Sequence, residues 1–213
     1  MSIRALFLDV ANTLLHKPQL YPEIHRILSK FGHQVPLSSI IYHHRIISEI
    51  IVFPDKTSHE FYFEFNSHLL RSFGIIPSIE ITDELFNACS YLPWKAFDDV
   101  SHLKSISLPI GILSNWDDSL RTHLSKVIDI EPKWILGSKE FKIRKPSLDF
   151  FKLAVNVSTF KFEEVAYVGD SLRLDIEPAL KLGLAAFLID RDNLFPTATV
   201  NKIKHFGELS MHL

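Results

Sequence analysis

A single cysteine, Cys89, in 213 residues excludes an intrachain disulfide framework and fits a reducing compartment. Neither charge forms a long run: 23 Lys and Arg stand against 25 Asp and Glu, a formal net charge of −2. That balance argues against a charged face for nucleic acid. No apolar stretch is long and uncharged enough to span a membrane. The most apolar helical stretch, residues 40 to 53, is broken by His43, His44, Arg45 and Glu49. The first strand begins at Ile3, which leaves no room for a signal peptide, so a soluble, cytoplasmic protein is expected. Eleven histidines are scattered without a His-Glu-x-x-His pair or a Cys/His cluster, which removes the usual zinc signatures. Internal repeats and low-complexity segments are also missing, and nothing in the chain sets an oligomeric state.

What is present is 46% apolar residues, enough for one large domain or one domain with an insert. The organising stretch is residues 3 to 14, Ile-Arg-Ala-Leu-Phe-Leu-Asp-Val-Ala-Asn-Thr-Leu. A nearly unbroken apolar run bounded by turn-forming residues reads as a buried strand of a parallel sheet. It ends on Asp9, and an ionised carboxylate there is costly unless it is paired. Ligands of open α/β sheets sit just beyond such strand ends.

Residues 15 to 91 read as helical. Tyr21 to Phe31 has helical apolar spacing and stops at Gly32, and Ile40 to Phe53 is rich in isoleucine. Thr57-Ser58-His59-Glu60 has the form of a capping box. It opens a helix with Phe61, Phe65, Leu69 and Phe73 on one face, and Ile81 to Tyr91 forms a fourth helix. These aromatics read as bundle core. After Pro93 the pattern turns to alternation. Strands are expected at 109–115, 133–138, 165–170 and 184–189, with helices at 117–127, 148–157 and 174–182. Such alternation implies right-handed βαβ units and a parallel sheet, with the helical block as an insertion.

The strand ends and nearby loops gather polar groups on one edge: Asp9 and Thr13, Ser114 and Asn115, Lys145, then Asp170 and Asp175. Two clustered carboxylates, Asp9 and Asp170, repel each other unless a divalent cation lies between them. A few hard oxygen ligands suit Mg²⁺ when water and phosphate complete its shell. Lys145 adds a positive charge, and Ser114 adds a hydroxyl and backbone N–H groups, a set that suits a phosphate. An Asp beside Mg²⁺ with a phosphoryl group in line is the arrangement for an aspartyl-phosphate intermediate.

Asp9-Val-Ala-Asn-Thr13-Leu, Leu113-Ser114-Asn115, Lys145-Pro146 and Gly169-Asp170-Ser171 followed by Asp175 resemble, in order, the four motifs of the haloacid dehalogenase-like (HAD) hydrolase superfamily. The likeness covers nearly the whole chain. It implies an α/β fold: a Rossmann-like parallel-sheet core over residues 1–14 and 93–213, with an inserted α-helical cap over 15–92. Carried over residue by residue, it makes Asp9 the nucleophile and a metal ligand. Ser114 and Lys145 hold the phosphoryl group, with Lys145 also orienting Asp9, and Thr13 and Asn115 line the same substrate-binding edge. Mg²⁺ is bound by Asp9, Asp170 and the backbone carbonyl of Ala11, with Asp175 supporting its water shell. Lys142 and Arg144 are competing candidates for the Lys145 role. The implied activity is a Mg²⁺-dependent phosphatase acting on a small phosphorylated metabolite, with neither nucleic acid nor membrane as partner.

One departure stands out. Phosphatases of this superfamily carry an Asp two residues after the nucleophile as general acid and base, and here that position is Ala11. The resemblance therefore leaves alternatives open. Phosphonoacetaldehyde hydrolases share the alanine and use a cap lysine, for which Lys30 and Lys56 are the candidates. Metal-free dehalogenases also lack the Asp, but they do not need the Asp170/Asp175 pair. A protein that binds phosphate with little turnover is a third alternative. His16 and Asp117 are substitute proton donors by position, although Asp117 also reads as the cap of the following helix.

Overall fold

The computed structural model describes residues 2–54 and 57–213, in two compact units. One unit comprises Met1–His16 with Ala96–Leu213, and the other is Lys17–Lys95.

The first unit contains β1 (Ala5–Leu8), β2 (Leu15–His16), β4 (Ile110–Ser114), β5 (Trp134–Gly137), β6 (Val165–Gly169), β7 (Ala185–Ile189) and β8 (Lys202–Ile203); β3 (Lys95–Ala96) lies where the chain re-enters it. Six strands form a parallel sheet in the order β5-β4-β1-β6-β7-β8. The unbroken apolar run of β1 is explained by its central place: all four residues are buried, with β4 on one side and β6 on the other. The chain moves outward from β1 in one direction through β4 and β5, then in the other through β6, β7 and β8. The sheet therefore has its topological switch point at the carboxyl end of β1, where open α/β sheets bind ligands. Phe7 pairs in register with Gly111, and a Cβ there would stand 2.3 Å from the Phe7 ring, so the ring occupies the place of the missing side chain.

Local structure departs from the sequence reading at several points. Leu15 and His16 form β2 and do not begin a helix, because Leu15 N–H turns back to Val10 O. The helix expected at 174–182 starts with a π turn, Leu172–Ile176, before a short α-helix, Glu177–Lys181, because Ser171 holds Leu174 N–H through Oγ and Asp175 and Ile176 N–H through its carbonyl. The edge strand β8 adds a sixth strand that sequence patterning does not reveal.

The second unit is helical: α1 (Leu20–Lys30), α2 (Leu37–Ile50), α3 (His59–Ser72) and α4 (Ile79–Cys89). Its core gathers Ile24, Ile27 and Leu28 of α1 with Ile40, Leu69, Leu70 and Leu85, the helical spacing read from the sequence. The cap of α3 is Ser58, whose Oγ accepts the Phe61 N–H, one residue later than the Thr57–Glu60 box predicts. Gly32 and Gly74, at φ +84° and +76°, end α1 and α3, and the next residues bond back to Leu28 O and Leu70 O. Among the described residues no helix is long and apolar enough to cross a membrane.

Candidate active site

The parallel register brings the strand ends to one edge. Leu8 pairs with Ile112 on one side and Val168 on the other. Asp9 thus emerges level with the ends of β4 and β6, and its N–H bonds Val168 O at 3.0 Å. Ser114 ends β4, and Asp170 follows β6.

Lys145 lies at the centre. Its Nζ donates to Asp9 Oδ1 at 2.6 Å, to Asp175 Oδ1 at 2.6 Å and to the Tyr167 hydroxyl at 3.3 Å. An ammonium has three N–H groups, so these three acceptors account for all of them. Lys145 is 3% exposed, and a charge buried that deeply persists only with partners of this kind. Of the competing candidates, Lys142 is exposed in the turn after Phe141. Lys145 is held by its own backbone. The Asn115 amide accepts from Lys145 N–H at 2.8 Å and donates to Lys145 O at 3.0 Å. Asn115 thereby positions Lys145, and its amide retains a second N–H and a second acceptor lone pair.

Ser114 Oγ donates to Asp9 Oδ1 at 3.1 Å. Both side-chain donors to Asp9 fall on Oδ1. Asp175 accepts Lys145 and the Tyr167 hydroxyl, at 2.9 Å, on Oδ1, and the Ser171 N–H on Oδ2 at 3.1 Å. Thr13 Oγ1 donates to Asp170 Oδ1 at 3.4 Å. One ligand oxygen each from Asp9, Asp170 and Asp175 lies within 4.8 Å of the others.

The electrostatics follow from counting charges. Lys145 pairs with Asp9 and Asp175, and the third carboxylate, Asp170, interacts with Arg191. Burial alone would lower the Lys145 pKa, but Asp175 and Asp9 outweigh it and raise it. Burial is the main force raising Asp9, opposed by Lys145 and reinforced by Asp170. Asp175 is pushed up to about 7, chiefly by burial, against the pull of Lys145. The clustered hard oxygen donors fit a divalent cation such as Mg²⁺.

The loop after Asp9 turns tightly. Thr13, Leu14 and Leu15 N–H all approach Val10 O, and Asn12 takes a left-handed φ of +59°. Ala11 presents only a methyl group. His16, weighed as a substitute donor, stacks on Phe97 with ring centroids 4.0 Å apart. Asp117 Oδ1 accepts Ser119 N–H at 2.9 Å, in a turn just before the helix Leu120–Val127. Lys30 is an exposed residue paired with Glu84 at 2.8 Å, which does not suit a Schiff-base lysine, and Lys56 lies outside the described residues. Tyr167 is the site residue that motif reading misses. Its signal is a tyrosine in a fully buried strand, whose hydroxyl needs a partner.

A family model described as HAD-hydrolase-like matches residues 142–205. Glyceraldehyde 3-phosphate phosphatase of Methanocaldococcus jannaschii is 27% identical over 124 residues, 52% of this chain and 53% of the relative. The chain thus aligns with about half the length of that relative. Among solved structures, YfnB from Bacillus subtilis, solved bound to magnesium, superposes with a TM-score of 0.64 at 18% identity, covering 100% of this chain and 99% of that one. The L-2-haloacid dehalogenase RSc1362 superposes with a TM-score of 0.66 at 17% identity over 100% and 99%. At these identities the solved neighbours establish the fold alone, and phosphatases and dehalogenases both occur among them.

Proposed function

This chain belongs to the HAD-like hydrolase superfamily, and on that premise we propose that it is a Mg²⁺-dependent phosphatase acting on a small phosphorylated metabolite through an aspartyl-phosphate on Asp9. The observation that carries the reading is the placement of Lys145 between Asp9 and Asp175 at 2.6 Å each, beside a third carboxylate, Asp170. Three carboxylates drawn together as possible ligands favour a cation-assisted reaction over metal-free dehalogenation, which does not call for Asp170 and Asp175 beside Asp9.

Asp9, Asp170 and the Ala11 carbonyl would hold the metal, with Asp175 acting through its water shell. When bound, the cation offsets the carboxylate charge and polarises the phosphoryl group. Ser114 and Lys145 fix Oδ1 of Asp9, which turns Oδ2 towards the phosphorus. Asp9 attacks, the P–O bond to the leaving group breaks, and that group takes the electron pair. Water then attacks the phosphorus, which releases phosphate and restores the carboxylate. The long contact from Lys145 to Tyr167 is the one a phosphoryl oxygen displaces at least cost. With Ala11 in the acid/base position, the leaving group departs without a proton from that residue. We assign the helical unit the role of a cap that sets substrate choice. Exchanging it for that of a relative should change preference while Asp9 stays essential.

The test is a Mg²⁺-dependent screen of phosphomonoesters and acyl phosphates, with Asp9→Asn as control. Phosphate release lost in Asp9→Asn is expected. A borohydride-trapped lysine adduct, EDTA-resistant dehalogenation, or phosphate-dependent stabilisation without turnover would each replace this reading with one of its rivals.

A further inference from the structure

We propose that Arg191, in the loop after β7, is a positioning residue for the reaction at Asp9, a role that rests on the phosphatase reading. Its guanidinium donates from Nη1 to Asn12 O at 3.2 Å and from Nη2 to Thr13 O at 3.0 Å. It thereby holds the carbonyls of the two residues that turn the nucleophile loop. Asn12 is one of them, in the left-handed region at φ +59°. A non-glycine residue there persists where its surroundings fix it.

Arg191 is itself fixed. Nε and Nη2 grip Asp99 in a two-pronged contact, with Nη2 at 2.9 Å, and the guanidinium lies 3.8 Å from the centre of the Phe97 ring. Asp99 Oδ2 also accepts Phe206 N–H at 3.0 Å. The planar fork therefore links the loop that follows Asp9 to the segment by which the chain re-enters the core. Thr13, whose carbonyl Arg191 holds, also donates through its hydroxyl to Asp170. Loop position thus bears on Asp9 and on Asp170. A lysine keeps the charge but has neither the fork nor the flat face.

The experiment compares wild type, Arg191→Ala, Arg191→Lys and Asp9→Asn on an aryl phosphate with Mg²⁺, recording kcat, KM and thermal melts, with and without added methylguanidinium. A misplaced nucleophile loop should lower kcat on the order of 10- to 100-fold while KM changes little. Methylguanidinium should restore part of the loss in Arg191→Ala but not in Arg191→Lys. Full kcat in a folded Arg191→Ala would overturn the proposal, as would a loss that follows only the unfolded fraction and is not rescued. Should the alanine variant fail to fold, full kcat in Arg191→Lys overturns it and a reduced kcat at unchanged KM supports it. If Asp9→Asn is as active as wild type, the phosphatase reading itself falls and this role falls with it. Loss in Asp9→Asn with full kcat in Arg191→Ala removes this inference alone.

Discussion

A Cβ placed on Gly169 would stand 2.3 Å from Cγ of Asp175 and 2.5 Å from its Cβ. The Asp175 side chain uses the space that any other residue at 169 would fill, and the clash falls near its root, where it has little freedom to move. Gly169→Ala should therefore push Asp175 off Lys145 and Tyr167. Overpacking of this kind costs about 1–3 kcal/mol. Thermal melts and steady-state assays on an aryl phosphate should show a folded, less stable protein with turnover reduced at least about tenfold, since a displaced catalytic geometry is costly. Wild-type turnover would separate Asp175 from the chemistry.

Ala11 sets the second prediction. General acid–base help is worth about 10²–10⁴ in rate. An alkyl leaving group without it departs as a poorly stabilised alkoxide, whereas a phenol or carboxylate scarcely needs the proton. Sugar phosphates should be hydrolysed slowly and aryl or acyl phosphates measurably. Water attack on the phosphorylated Asp9 lacks the same base, so an initial burst should precede a slower steady rate. Ala11→Asp should raise steady turnover of alkyl phosphates and shrink the burst. Equal rates on both substrates without a burst would mean that another group does this work, with His16 and Asp117 the first to mutate.

The third prediction concerns pH. Asp175 is pushed up to about 7 in the metal-free fold, from an ordinary value of 3.8. Between those values the native state holds a proton that the unfolded chain has released, so the metal-free protein should lose stability as pH rises through that window. Cation binding favours the ionised carboxylates, so Mg²⁺ stabilisation should grow over the same window. At a hundredfold excess over the dissociation constant it amounts to about 2.7 kcal/mol. Melts at roughly pH 5 and pH 8, with and without Mg²⁺, check both slopes. An equal Mg²⁺ response in wild type and Asp170→Ala would contradict the proposed site.

His44, on α2, gives a prediction of the opposite sign. Its Nδ1 is buried with no hydrogen-bond partner among the described residues, and the ring packs edge-on against Tyr21 and Phe65. Burial, helped by Arg45, pushes its pKa down to about 3 from 6.5. Below pH 6.5 the unfolded chain takes up a proton that the native state refuses, so stability is lost as pH falls towards 3. His44→Phe keeps the ring contacts and removes both the titration and the orphaned nitrogen. Acid titrations followed by circular dichroism should show a flatter decline, with stability near pH 7 within about 1 kcal/mol of wild type. An unchanged acid profile would contradict this.

The sheet and its site differ in how far sequence reveals them. β1 and β6 are legible because burial on both faces demands unbroken apolar runs, and Asp9 and Asp170 end those runs conspicuously. Lys145 is legible only through its motif, since a lysine before a proline has no pattern of its own. β8 is two residues long and carries no period to read. Arg191 resembles any loop arginine until the fold brings Asn12, Thr13 and Asp99 to it from more than 90 positions away. The match of the Asn115 amide to the Lys145 backbone in both hydrogen-bonding directions is likewise invisible in sequence, since the two lie 30 positions apart.

An aspartyl-phosphate on Asp9 is tested most directly by mass spectrometry of acid-quenched protein taken during the burst on an aryl phosphate with Mg²⁺. A phosphoryl adduct confined to the peptide containing Asp9 is expected, longer-lived in wild type than in Ala11→Asp and missing from Asp9→Asn. A product burst with the adduct on another residue, or an adduct that persists in Asp9→Asn, would contradict it.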